Sequence, residues 1–337
     1  MKAIAEANTN IALVKYWGKN DDDFNLPAVP SLSLTLDGLR TRTEIAWLPE
    51  GAAGDRLRLN GVEVGGDALA KVSRQIDRVM AALGGTGRPW ALVTSENNFP
   101  TAAGLASSAS GFAALTVAAA AALSPGLALD DAMRGRLSIL ARQGSGSAAR
   151  SLFGGIAVLS TGTPGQRDSG MATQVMPESG WPELRMVIGV AGEGPKATGS
   201  TDGMRHTAAS SPYFAPFVAA APGDLRQAMV ALRARDLQAL GQVVERSALR
   251  MHASALAADP AVVYLRGATI EGLHALRSLR ARGVGAYFTC DAGPHPKALT
   301  TAGDADAVAA ALSAVPGVQR TIVARPGAGA RLVSDVG

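Results

Sequence analysis

The stretch Asn97-Asn98-Phe99-Pro100-Thr101-Ala102-Ala103-Gly104-Leu105-Ala106-Ser107-Ser108-Ala109-Ser110 follows an apolar, β-like run (Trp90 to Val93). It precedes an alanine-rich segment from Gly111 to Leu123. The order is therefore strand, small-residue loop, helix. Pro100 and Gly104 interrupt the periodicity, and the small side chains let the backbone approach a ligand closely. At a helix start such a loop offers unpaired N–H groups and the positive end of the helix dipole, which suits a phosphate. Ser107 and Ser108 add hydroxyls that can hold phosphate oxygens or Mg²⁺. The commoner nucleotide loops are absent: there is no G-x-x-x-x-G-K-[ST] and no G-x-G-x-x-G after a strand. Read in isolation, the same residues also describe a plain Ser/Ala helix cap.

Three further groups carry charge chemistry. Lys15-Tyr16-Trp17-Gly18-Lys19 places two lysines four residues apart on a turn. Each is a mobile point charge with three donors, a clamp for a multiply charged anion or else a solvated loop. Gly144-Ser145-Gly146-Ser147-Ala148-Ala149-Arg150-Ser151 is a second small-residue loop, after the helical segment Asp131 to Arg142. Ser145 and Ser147 fall at a helix start with Arg150 about one turn in, so hydroxyls, free N–H groups and a guanidinium share one anion site. Asp291 ends the buried-strand run Gly285 to Cys290. A carboxyl there is partly desolvated and its pKa rises unless a cation sits beside it; the plain alternative is an Asx-turn.

The elements that must position these groups are strand-rich early and helical late. Lys2 to Leu13, the alternating and half-buried Ser31 to Leu36, Thr43 to Leu48 and Arg56 to Leu59 read as strands, with Asn60-Gly61 as a hairpin turn. Ala68 to Leu83 is helical by spacing. Ile156 to Leu159 and Leu184 to Ala191 are strands around an exposed Gly/Pro/Ser-rich excursion from Gly162 to Gly180. A polar loop from Lys196 to Met204 leads into helical runs at Leu225 to Ala255, Val262 to Arg282 and Ala305 to Val315. Arg320 to Ala324 is a strand, and Pro326 to Gly329 is a turn whose backbone presses on a neighbour.

A chain of 337 residues with 47% hydrophobic content fits one large domain or two packed lobes. Its 32 basic and 28 acidic residues leave +4 without any Lys/Arg run, which points to an anionic substrate and away from nucleic acid. One cysteine, Cys290, excludes an internal disulfide and a cysteine zinc site and fits a reducing compartment. With no signal-like apolar start and no span-length apolar run, the expectation is a cytoplasmic protein that does not enter a membrane.

The segment Pro100 to Ala109 resembles P-x-x-x-G-L-x-S-S-A, the phosphate loop of the GHMP kinase superfamily. Together with Asn8-Thr9-Asn10-Ile11-Ala12, Lys15 to Lys19, Gly144 to Ser151, Thr198 to Met204, Met251-His252-Ala253 and Asp291-Ala292-Gly293-Pro294, it resembles the diphosphomevalonate decarboxylase family over nearly the whole chain. The resemblance implies an α/β (α+β) fold of two lobes. The first, residues 1–183, is ribosomal-protein-S5-like and carries the ATP loop; the second, residues 184–337, is an α/β lobe carrying the catalytic Asp.

It also implies ATP and Mg²⁺ as cofactors and a homodimer. The implied reaction is conversion of mevalonate 5-diphosphate to isopentenyl diphosphate, with release of ADP, phosphate and carbon dioxide, in isoprenoid biosynthesis. By matching position, Asp291, Arg150, Ser200 and Lys15 are catalytic, Arg150 also holding the substrate carboxylate. Tyr16, Lys19, Ser145, Gly146, Ser147 and Met204 surround the substrate. Asn97, Pro100, Ala102, Ala103, Gly104, Leu105, Ala106, Ser107 and Ser108 form the ATP loop, with Ser107 or Ser108 near the metal.

Val29-Pro30, Leu249 and His295 depart from the family pattern and bear on substrate detail. Two readings compete within the fold: a decarboxylase acting on the monophosphate, and a kinase releasing no carbon dioxide. Outside it stands a non-catalytic nucleotide-binding protein, which loss of the loop serines or of Asp291 would favour; both are present.

Overall fold

The computed structural model describes residues 2–99, 107–192 and 198–334. The first part of the chain runs β1 (Lys2–Val14), β2 (Lys19–Asp21), β3 (Leu26–Pro27), β4 (Ser31–Trp47), β5 (Arg56–Leu59), β6 (Val62–Val64), α1 (Gly66–Ala82), β7 (Ala91–Asn97), α2 (Ser107–Leu123), α3 (Asp131–Gly144), α4 (Ala148–Ser151), β8 (Ile156–Leu159) and β9 (Ala172–Met176). The second runs β10 (Leu184–Val190), α5 (Ser200–Ser210), α6 (Phe214–Ala234), α7 (Leu237–Leu256), α8 (Gly267–Ala281), β11 (Tyr287–Thr289), β12 (Lys297–Thr301), α9 (Ala305–Ser313), β13 (Arg320–Ala324) and β14 (Arg331–Val333).

The long antiparallel pair β1 and β4 centres an eight-stranded sheet in the order β14-β1-β4-β7-β5-β6, with β8 on β4 and β9 on β8. β4 changes partner along its length, pairing with β8 from Ser31 to Leu34 and with β7 from Thr41 to Trp47. Gly38 lies between the two halves at φ 82°, a conformation that favours glycine. Asn60 and Gly61 close β5 on β6, both at positive φ as a type I′ turn requires.

α2 is buried on nearly every side, which explains its uniform run of alanines: Ala113, Ala114, Ala118, Ala119 and Ala120 are all fully buried. A helix enclosed all round needs no polar stripe, and small side chains let it lie close to the sheet.

The second sheet runs β11-β12-β10-β13, all antiparallel. Alternation along β10 divides its two faces. Val187 packs with Leu276, Val308 and Leu312 of α8 and α9. Met186 and Ile188 instead join Leu32, Leu34 and Leu36 of β4 and Leu240 and Val244 of α7 in a core shared by the two parts of the chain.

Several expectations change on the structure. Ser31 to Leu36 is buried on both faces, not half-buried. Its polar side is roofed by the α4 region, where Ser31 accepts from Arg150 Nη1 and the Thr35 hydroxyl donates to the Phe153 carbonyl. The excursion from Gly162 to Gly180 contains β9, paired to β8. The helical run from Leu225 to Ala255 is two helices, broken where Arg235 turns left-handed at φ 51° and Asp236 caps α7 by accepting from Ala239 N–H. The run from Val262 becomes helical only at Gly267. In the polar loop, Lys196 and Ala197 lie outside the described residues, and Ser200 already begins α5. β12 was not anticipated. The turn at Pro326 to Gly329 does press on a neighbour: a Cβ on Gly329 would stand 2.5 Å from the Leu152 carbonyl oxygen.

Candidate active site

A cleft of about 710 Å³ lies where the end of β1, the β2–β3 ribbon, α1, the starts of α2 and α5, and the loop before α4 meet the end of β11. Asp291 enters from the second sheet, and its carboxylate is gripped from two sides. Lys15 donates to Oδ1 at 2.8 Å, and Lys297 stands 3.2 Å from Oδ2 as an ion pair without hydrogen-bond alignment. Both lysine side chains are 1% exposed, whereas that of Asp291 is 25% exposed.

Burial alone would push the Asp291 carboxyl up; the charges of Lys15 and Lys297 outweigh it and hold it well below the usual carboxylate range. This is the neighbouring cation on which the sequence reading was conditional. Lys15, which also donates to the Ala12 carbonyl at 2.8 Å, is itself pulled down by burial against the attraction of Asp291.

Arg150, on the one-turn helix α4, lies beneath the cleft lining. It is 2% exposed, its Nη1 donates to Ser31 Oγ at 2.7 Å, and its guanidinium stands 5.8 Å from the Tyr16 ring centroid. Burial lowers its pKa to about 10, so it stays charged at neutral pH. Burial pushes the Tyr16 phenol up to about 12, so it remains a donor, and it points to the Asn25 carbonyl at 3.3 Å. Gly146 is what admits that ring: a Cβ there would stand 2.2 Å from Tyr16 Oη. Asn25 is fixed in turn by donating to the Gln143 carbonyl, and the fully buried Arg142 clamps the carbonyls of Gly170, Ser169, Arg167 and Phe24.

The two small-residue loops converge. The Ser145 hydroxyl lies 3.5 Å from both Ser108 Oγ and Ser147 Oγ. Ser107 and Ser108 are already helical, in the first turn of α2. Asn97 does not line the cleft; it accepts from the Thr41 hydroxyl, which also bonds Ser110, tying the end of β7 to the start of α2. Pro100, Ala102, Ala103, Gly104, Leu105 and Ala106 lie outside the described residues.

Ser200 and Met204 line the cleft from α5. Lys15 and Lys19 both line it as well, yet each already has its own carboxylate: Lys19 pairs with Asp22 at 3.4 Å, and Arg205 reaches Asp22 from α5 at 3.2 Å. Burial lowers the pKa of Lys19.

Residues not singled out from the sequence also line the cleft. Lys71, Arg74 and Arg78 follow a helical i, i+3, i+7 spacing on α1 that a search for one-sided cations would have found. Asn10, from the Asn8 to Ala12 stretch noted in the sequence, also lines the cleft and donates to the Ser147 carbonyl and Ser151 Oγ. Of the departures, Leu249 lies outside the cleft and lines a groove on the outer face of α7 and α8. Val29 is buried with Trp17 and Met204, and His295 Nδ1 accepts from Ala191 N–H.

A two-sheet α/β body with a cation-lined cleft between its halves is the GHMP kinase fold. Residues 7–171 match the family model described as diphosphomevalonate decarboxylase-like N-terminal domain, and residues 186–326 the mevalonate 5-diphosphate decarboxylase C-terminal domain. The chain belongs to the diphosphomevalonate decarboxylase family. The diphosphomevalonate decarboxylase of Gibberella zeae is 38% identical over 326 residues, covering 92% of this chain and 84% of the relative. Among solved structures, MDDEF in complex with MVAPP, AMPPCP and magnesium superposes with a TM-score of 0.89 at 37% identity, covering 99% of both chains. The mevalonate diphosphate decarboxylase from Enterococcus faecalis, solved in a study of mevalonate diphosphate-mediated ATP binding, gives 0.88 at 36% identity and the same coverage.

Proposed function

We propose that this chain catalyses the ATP-dependent decarboxylation of mevalonate 5-diphosphate to isopentenyl diphosphate, releasing ADP, phosphate and carbon dioxide. The observation that carries it is the Asp291 carboxylate held between two buried ammonium groups at the base of a cleft rich in further cations. Counting Lys15, Lys297 and Arg150 against Asp291, the buried charges beside the cleft sum to an excess of positive charge. Burying charge is costly without a partner. A site charged in this way favours a polyanionic ligand.

The residues present fit ATP and Mg²⁺: the Ser108 hydroxyl sits in the first turn of a long helix, with the Ser145 hydroxyl beside it. Ser107 and Ser108 would hold phosphate oxygens or the metal, and Mg²⁺·ATP supplies the phosphoryl group. Asp291 orients the tertiary 3-hydroxyl as a hydrogen-bond acceptor. The hydroxyl oxygen would bond to the transferred phosphorus as the bond to ADP breaks, its proton leaving to water as the new phosphate ester forms. The C3–O bond then breaks with phosphate leaving, and the C1–C2 electron pair becomes the C2=C3 double bond as carbon dioxide departs. A carboxylate held so far below the ordinary range is a poor base, so Asp291 acts mainly through charge, facing the cationic character that develops at C3. Lys15 beside it and Arg150 on the substrate carboxylate hold the other charges in place, with Ser200 near the transferring phosphate. Tyr16, Lys19, Ser145, Gly146, Ser147 and Met204 surround the 5-diphosphate end. Incubation with ATP, Mg²⁺ and the diphosphate, following ADP and carbon dioxide together, tests this reading. Equal yields of the two are expected, and ADP without carbon dioxide would leave only a kinase.

Two substitutions probe separate parts of the site. Arg150→Lys keeps the charge but removes the planar fork, and kcat/KM is expected to fall about 10- to 10²-fold, the loss of one charge-assisted hydrogen bond of about 1.5–3 kcal/mol. Parental activity in the Lys variant would make Arg150 a packing residue. Ser107→Ala combined with Ser108→Ala is expected to raise KM for ATP by about tenfold in a folded protein, since backbone donors remain. An unchanged KM would reduce the pair to a helix cap.

We also divide the chain into lobes of residues 1–183 and 184–337, which co-purification of the halves expressed as separate chains tests. We infer a cytoplasmic homodimer, to be checked by sedimentation mass and by fractionation. Among the described residues no helix is long and apolar enough to cross a membrane.

A further inference from the structure

Lys297, which follows Pro294-His295-Pro296, is not singled out by the sequence. The structure makes it the first residue of β12, paired with Ile188 of β10 and Thr289 of β11. Its backbone is held on both sides, because Gly189 N–H donates to the Pro296 carbonyl at 2.8 Å. The side chain is 1% exposed and does not line the cleft. What it reaches is Asp291 Oδ2, at 3.2 Å. A buried ammonium is costly unless paired, so a lysine rather than an apolar residue here requires a reason.

We propose that Lys297 is a positioning residue for the decarboxylation, holding the Asp291 carboxylate ionised and fixing Oδ2 so that Oδ1 is left to Lys15 and the cleft. The inference rests on the role given to Asp291 above. Lys15 alone supplies one cation on one oxygen, and a carboxyl with one partner can rotate and can take up a proton on its free oxygen. With Lys297 in place both oxygens are engaged. The other groups near Asp291 are Arg150 on α4, Cys290, whose thiol meets the Asp291 backbone carbonyl, and His252 on α7, whose imidazole burial keeps neutral with a pKa of about 4. None of these donates a hydrogen bond to Oδ2.

The sign of the pH effect follows. Asp291 is held low by cations, so removing one lets its pKa rise, and the carboxylate is then lost at a higher pH. Lys297→Met removes the charge and retains the length of the side chain. Its kcat is expected to fall about 10- to 10²-fold, while KM for ATP stays within a few-fold. The acid limb of kcat against pH is expected to move up by about one to three pH units. Lys297→Arg is expected to return the limb toward its parental position. A carbon-13 titration of the Asp291 carboxyl gives the same displacement without reference to turnover.

Superimposable pH profiles and unchanged titration in Lys297→Met would overturn the proposal. So would an Arg variant whose limb matches that of Met. Should the Met variant fail to fold, Lys297→Gln is read in the same way. Asp291→Asn separates the role of Lys297 from that of Asp291. If it is inactive while Lys297→Met has a parental profile, only the Lys297 role fails. If it is fully active, the reading of the site itself fails.

Discussion

Asp291→Asn is expected to lower turnover by about 10²- to 10⁴-fold while ATP and substrate binding change only several-fold. The amide keeps the shape of the carboxylate, and its oxygen can still accept from Lys15. What disappears is the negative charge between two ammonium groups of which each is 1% exposed. The hydroxyl to be phosphorylated then loses its charged acceptor, and C3 loses the anion facing it as phosphate departs. The unpaired lysines also cost stability, on the scale of about 3–5 kcal/mol for breaking a buried pair, so turnover is to be compared at a temperature well below both melting points. Turnover near the parental value in a folded variant would remove Asp291 from the chemistry.

The second large effect is selectivity at the far end of the substrate. The diphosphate is expected to exceed the monophosphate in kcat/KM by about 10²- to 10⁴-fold at fixed ATP. Lys19, Tyr16, Ser145, Ser147 and Arg205 line one region with more donor capacity than a single phosphate uses. Two lost charge-assisted hydrogen bonds at about 1.5–3 kcal/mol each give that ratio. Asp22 pairs with both Lys19 and Arg205, and binding of the second phosphate is expected to displace it from one of them. Of the departures from the family pattern, Leu249 lies outside the cleft and Val29 is buried in an apolar cluster beneath it. More efficient turnover of the monophosphate would falsify the assignment.

Much of this was legible in the residues because local chemistry and position agree. Asn60-Gly61 is a turn wherever it occurs between strands, and Gly146 and Gly329 mark places where backbone meets another group closely. Position in the sequence could not disclose the partners of Ser31 and Thr35 or the burial of Ser33 beside them. Their alternation with leucine is that of a half-exposed strand, and only the tertiary roof over them makes them interior. Lys297 escaped for a related reason: a lysine after two prolines has the look of a solvated turn, and its partner comes from the neighbouring strand. The break between α6 and α7 hinges on one left-handed arginine, a conformation without a side-chain signature. The cations of α1 were visible in their spacing but had no anchor until the helix was seen to border the cleft.

The core that joins Met186 and Ile188 to Leu32, Leu34 and Leu36 has a consequence for how a ligand enters. Two lobes linked only by a tether can swing about a hinge, and many enzymes close on their substrates in that way. Here the faces that would have to part are buried and apolar, and opening them would expose side chains worth about 1.5–3 kcal/mol each. Rigid-body gaping is therefore a costly route of entry. Access is left to the rim, where the β2–β3 ribbon and α5 are joined by exposed ion pairs such as Arg205 to Asp22, which cost little to break and remake.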